Sequence, residues 1–148
     1  MIIKKKYGYL LALILVVGLV MVFMRWNEYR EKELVDVVDW EDLEEFVYLE
    51  TTEDSPLLFD ETPINDPEAM KELLDFFGQY KVKKLQDEHF SAKYPDEQFH
   101  FRLTYTDERI TVPSMIERDV LLFHLEEYTI TNGPVDYAWL EDFFEIEN

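Results

Sequence analysis

The first long pattern in the chain runs from Gly8 to Met24, GYLLALILVVGLVMVFM, where no position is charged and almost all are large and apolar. At about 1.5 Å per residue this stretch spans roughly 26 Å, and counting from Tyr7 to Trp26 gives the length of about 20 residues that a bilayer core requires. Tyr7, Tyr9 and Trp26 stand where amphipathic rings settle between hydrocarbon and water, and Lys4, Lys5 and Lys6 precede them as a cationic anchor. The positions after Val17, GLVMVFMRWNEY, offer no small-x-small triplet for a signal peptidase, so an uncleaved helix is expected. Basic residues nearly tie across the span, with Lys4, Lys5 and Lys6 on one side and Arg25, Arg30 and Lys32 on the other. The purely basic N-terminal flank favours a cytoplasmic N-terminus and a domain outside the cell membrane.

Beyond the span the pattern turns polar. Arg25 to Val35 contains no helix breaker and carries a favourable Glu28–Lys32 pair, which predicts a helical stalk. In Asp36 to Glu45, DVVDWEDLEE, the residues Val37, Trp40, Leu43 and then Val47 recur at helical spacing, which predicts a short amphipathic helix. FVYLETT (Phe46 to Thr52) reads as a first strand, followed by a polar loop from Glu53 and a short strand at Leu57 to Phe59.

Asp66-Pro67-Glu68 is a helix start, and Met70, Leu73, Leu74 and Phe77 form one apolar face before Gly78 stops it. Tyr80 to Leu85 is a candidate strand. In Gln98 to Tyr105 strict alternation puts Phe99, Phe101, Leu103 and Tyr105 on one side and His100, Arg102 and Thr104 on the other. Asp107-Glu108 reads as a turn, after which Ile110 and Val112 return until Pro113 stops the pairing. Val120 to His124 and Tyr128 to Asn132 suggest a further hairpin around Leu125, Glu126 and Glu127. Gly133-Pro134 opens a terminal helix with Val135, Trp139, Leu140, Phe143 and Phe144 on its apolar stripe. The expected architecture is α+β: an N-terminal transmembrane helix, then an antiparallel sheet of about four or five strands with two helices on one face. The segments are a basic tail (1–6), the span (7–26), a helical stalk (27–45) and an acidic domain (46–148).

Composition changes the picture mainly through charge. The chain carries 33 acidic and 14 basic residues, and from Asp36 onward the balance is 30 to 8. A surface this anionic repels nucleic acid and anionic lipid or wall polymers, and leaves cationic peptides, basic proteins or divalent ions as partners. With no cysteine there is neither lipid acylation nor thiol chemistry, and the aromatic share of 16% promises a core that needs no disulfide.

The segments LLDFFGQYKVKKL, KYPDEQFHFRLTY, RDVLLFHLEEYTITNGP and DYAWLEDF together resemble small membrane-anchored or lipid-anchored extracytoplasmic domains of Gram-positive bacteria. The resemblance, over residues 45–145, implies a location and an α+β fold, and it brings no catalytic residue with it.

Candidate chemistry is sparse. His89, His100 and His124 lack metal-ligand spacing, and Ser55, Ser91 and Ser114 lack an elbow or an S-x-x-K setting. Four glycines, Gly8, Gly18, Gly78 and Gly133, cannot build a phosphate-cradling loop. Asp36, Asp39, Glu41, Asp42, Glu44 and Glu45 could be read as a calcium site, but no D-x-D-x-D-G loop is present and side chains on a regular helix do not converge on one ion. No catalytic, cofactor-binding or metal-binding residue is therefore assigned. The reading is a non-catalytic, membrane-anchored extracytoplasmic binding or sensing module for a cationic peptide or protein, whose best surface is the acidic stalk helix with the Glu53 to Asp66 loop. The alternative is an accessory subunit of a larger membrane complex. Gly18 is the only small residue after Ala12 in the span, so a close-packing helix face is missing.

Overall fold

A computed structural model describes residues 2–52, 55–86 and 90–147. The chain divides into two units, Met1–Arg30 and Glu31–Asn148. In the first, the apolar run forms helix α1 (Ile2–Tyr29), whose Gly8–Tyr29 portion is long and apolar enough to cross a membrane. None of that window is buried, so the helix is apolar around its whole circumference, as a membrane anchor or a signal sequence is. The helix ends at Tyr29, short of the stalk expected to continue through Val35. The Arg30 guanidinium turns back to donate to Asn27 Oδ1 at 2.8 Å. The residues beyond it belong to the second unit, where burial outweighs helix propensity: Leu34 and Val38 are 1% and 2% exposed.

The second unit is built on an eight-stranded antiparallel sheet, where the pattern of hydrophobic residues had suggested four or five strands. Its strands are β1 (Lys32–Glu33), β2 (Leu43–Thr52), β3 (Ser55–Ile64), β4 (Lys81–Lys84), β5 (Gln98–Tyr105), β6 (Ser114–Glu117), β7 (Val120–Phe123) and β8 (Glu126–Ile130). They lie in the order β1-β4-β8-β7-β6-β5-β2-β3. The expected return strand through Ile110 and Val112 reduces to a single bridge, Thr104 to Ile110, and the pairing strand starts after Pro113. The segment from Ser55 to Ile64, expected to be mostly loop, pairs with β2 from Phe46–Ile64 to Thr51–Phe59. The start of that loop, Glu53 and Asp54, lies outside the described residues.

Helix α3 (Pro67–Phe77) forms where its cap predicts, with the Asp66 carboxylate accepting from the backbone N–H groups of Glu68 and Ala69 at 3.0 Å. It carries the chain across the sheet from β3, at one edge, to β4 near the other. The terminal helix α4 (Tyr137–Glu147) packs on the same face. Phe46, on β2, ties the layers together: its ring lies 5.2 Å from Phe101, 5.9 Å from Phe77 on α3 and 6.2 Å from Phe144 on α4.

The opposite face of β2 also buries Val47 and Leu49. Register explains the first of these. Val47 lies between Arg102 on β5 and Pro63 on β3, and Arg102 reaches across it to grip Glu61 with two bonds of 2.8 and 2.9 Å.

Between β1 and β2 the chain does not form the helix expected over residues 36–45. A single turn, α2 (Leu34–Val37), ends before Asp39, whose φ of 54° is left-handed, and a 3-10 turn (Trp40–Asp42) leads directly into β2. The helical spacing of Val37, Trp40 and Leu43 coincides with a chain crossing the sheet, in which Val38, outside that spacing, is the buried residue.

Candidate functional site

The two faces of α3 line two clefts of about 380 Å³ each, both acidic and both containing a tryptophan. One lies toward α4 and is bordered by Glu72, Asp75, Phe76, Tyr80, Asp136 and Trp139. Trp139 stacks flat on Phe76 at 3.9 Å, and part of the acidity is engaged locally: Lys71 pairs with Asp75 at 2.5 Å, and Asp136 accepts from the backbone N–H of Trp139 at 3.2 Å. The other cleft is lined by Val35, Asp36, Asp39, Trp40, Glu41 and Leu74, and, as in the first, every charged residue in its lining is acidic. It is the stronger candidate for a cationic ligand.

The second cleft is built by the crossing segment. The Leu34 N–H donates to the Tyr80 carbonyl at 3.0 Å, and the buried Tyr105 hydroxyl donates to the Val38 carbonyl at 2.6 Å. The Thr106 N–H then donates to the Asp42 carbonyl at 3.0 Å. These bonds hold the backbone on either side of Asp39, whose left-handed conformation turns the chain so that Asp36, Asp39 and Glu41 flank one opening. Trp40 is half-buried, with its ring 6.1 Å from Phe77 and 6.2 Å from Phe46, so the core supports it. Burial, and then the nearby Asp39 carboxylate, hold the Tyr105 hydroxyl above its ordinary pKa, which keeps it a donor to Val38.

Of the six acids considered for calcium, three therefore meet at one cleft and three do not. Asp42 is exposed on the 3-10 turn, Glu44 is exposed on β2, and Glu45 lies beside Thr104, whose hydroxyl donates to it at 3.4 Å. Among the described residues, no three His, Cys, Asp or Glu side chains are grouped so as to hold a metal ion. The loop that was to share this surface with the stalk is largely strand β3.

The histidines are separated as well. His100 is on β5 against the Phe59 ring at 5.6 Å, with its pKa lowered by burial, and His124 is in the β7–β8 turn. His89 lies outside the described residues.

Glu117 has no counterpart in the sequence reading. It is 3% exposed and accepts from the backbone N–H groups of Lys93 and Tyr94 at 2.8 and 3.1 Å and from the Gln98 amide at 2.7 Å. Burial acts to raise its carboxyl, and these three donors outweigh it, so the pKa lies below the ordinary carboxylate value. A carboxylate occupied in this way pins the loop before β5 and is not free to act as a base.

Comparison with protein-family models, with curated proteins and with solved structures found no match to this chain.

Proposed function

We propose that the chain is a membrane-anchored, non-catalytic binding module that offers the Trp40 cleft to a cationic peptide or basic protein segment outside the cell. The observation that carries this reading is the meeting of Asp36, Asp39 and Glu41 around a half-buried tryptophan in a cleft of about 380 Å³. A lysine or arginine side chain seated there gains carboxylate partners for its charge and an aromatic face for its stem or guanidinium plane. α1 serves as the uncleaved anchor, with its basic N-terminal flank in the cytoplasm.

The test is a titration of the full chain in nanodiscs with a short lysine- and arginine-rich peptide, followed by calorimetry at two salt concentrations. Binding is expected to weaken with salt and to fall by about threefold to a hundredfold in the variant Asp36→Asn, Asp39→Asn, Glu41→Gln, since each exposed charge contact is worth roughly 0.2–1 kcal/mol and the cation–π contact persists. Asn at position 39 tolerates the left-handed backbone, so charge is removed without new strain. A control variant loses three exposed acids outside both clefts, Glu141→Gln, Asp142→Asn and Glu145→Gln. Equal weakening by the two triple variants would reduce the interaction to general charge attraction and reject the cleft.

A further inference from the structure

We propose that one end of the sheet, the end that carries Ile110, Val112 and Leu125, rests on the bilayer surface, with Leu125 inserted among the lipid headgroups. The inference rests on the membrane-anchored reading above and adds to it which part of the domain meets the lipid.

Among the described residues of the second unit, four large hydrophobic side chains are exposed: Tyr94, Ile110, Val112 and Leu125. Strand register places three of them at one end. β6 pairs Met115 with Leu122 and β7 pairs Phe123 with Glu126, so the loop before β6, which holds Ile110 and Val112, and the turn His124–Leu125 leave the sheet on the same side. Leu125 is 92% exposed, the extreme among them. It shares a two-residue turn with His124, and both have left-handed φ values, 64° and 51°. That conformation suits asparagine or glycine, so a bare leucine there serves neither the turn nor the core.

Chain direction supplies the second, independent observation. β1 pairs Lys32 with Val82 and Glu33 with Lys81, so the chain reaches β1 from the Lys84 side of β4. Lys84 pairs in register with Tyr128 on β8, which places that side toward the His124–Leu125 turn. Glu31, the first residue of the second unit, thus precedes β1 at the end where the three side chains project.

This end carries acids, Asp107, Glu108, Glu126 and Glu127, and two of them are paired locally: Arg109 meets Asp107 at 2.5 Å and Lys84 meets Glu126 at 3.2 Å. A single leucine has little membrane affinity alone, but a domain already tethered to the bilayer meets it at high effective concentration.

The absence of cysteine makes the test direct. Full-length chain is reconstituted in protein-free phosphatidylcholine–phosphatidylglycerol vesicles with a nitrobenzoxadiazole dye on Leu125→Cys, on Ile110→Cys or on Asp119→Cys, which is exposed in the turn at the other end of the sheet. Dye at 125 and at 110 is expected to shift to shorter wavelength and to lose intensity with headgroup-level nitroxide lipid, with neither change at 119. Near-UV circular dichroism checks the fold, and position 110 reports if the 125 variant is disturbed. Vesicles that float with the protein while 125 and 110 respond no more than 119 would overturn the proposal, reserve these side chains for a protein partner, and leave the anchor intact. Protein that fails to float would overturn the anchor and this inference with it.

Discussion

Glu117 shows how a single residue can be indispensable to a fold without taking part in chemistry. Among the described residues it is one of three buried polar ones, with Thr111 and Ser114, and its carboxylate ends β6 while holding the backbone of Lys93 and Tyr94. Arg118 next to it stacks over Tyr94 at 4.3 Å and reaches Glu97 at 3.3 Å, so the same corner is closed from outside. Replacement by glutamine keeps one acceptor oxygen and loses the charge, and is expected to cost about 2 kcal/mol at neutral pH, since hydrogen bonds to charged groups contribute roughly 1.5–3 kcal/mol. The folded pKa lies below the unfolded one, so this contribution is fully present above the ordinary carboxylate value of about 4.3 and is lost as pH falls through the lower folded value. Urea unfolding of Glu117→Gln and the parent from pH 7 to 3 should therefore show a gap that closes on acidification. A gap of constant size across that range would mean that shape, not charge, holds the loop.

The β7–β8 hairpin poses the opposite case at the level of the element, since its turn residues work against it. His124 and Leu125 both occupy left-handed backbone, which costs about 1–2 kcal/mol for a residue with a side chain, whereas Asn-Gly is preferred in such turns. Among the described residues the compensation is the Phe123–His124 ring contact at 4.3 Å, and aromatic pairs contribute about 0.5–1.5 kcal/mol. The larger effect wins: the double variant His124→Asn, Leu125→Gly should be more stable by about 1 kcal/mol, a rise in melting temperature of about 4 °C. A lower melting temperature would show that these side chains support the hairpin after all. The same contrast between local preference and global demand decides which elements the sequence reveals. α3 was legible because its Asp66-Pro67 cap and the spacing of Leu73 and Phe77 agree with its packing, and β5 because its alternation matches its burial. β6 was not, since all four of its residues, Ser114 to Glu117, are buried and no alternation survives. β3 hid behind Pro56, Pro63, Asp60 and Glu61, which an edge strand tolerates and a central one would not. Of the candidate site, the acids of the crossing segment were visible, but Leu74 and Val35, which complete the cleft, could be brought there only by the tertiary fold.

For the whole molecule the decisive question is where the self-sufficient body begins. An amphipathic stalk through residue 45 would make the preceding residues dispensable to the domain, whereas the observed division falls after Arg30. The segment between these limits supplies Leu34 and Val38 to the core, β1 to the sheet edge, and the half-buried Trp40 against Phe46 and Phe77. Removing a buried aliphatic or aromatic side chain costs about 2–5 kcal/mol, and an ordinary domain has only about 5–15 kcal/mol in total. Losing three such side chains, about 6–15 kcal/mol, together with the first three residues of β2 therefore removes about as much as the whole domain has. A fragment starting at Glu31 should unfold cooperatively at the melting temperature of the full chain's domain, because the buried core is made of residues from Leu34 onward. A fragment starting at Phe46 should show no cooperative transition by calorimetry and should expose the Phe77 and Leu103 surface to a hydrophobic dye. Cooperative melting of the shorter fragment within a few degrees of the longer one would return residues 31–45 to the role of a linker. It would also remove the Trp40 cleft from the folded body, and with it the rigid support that a binding site requires.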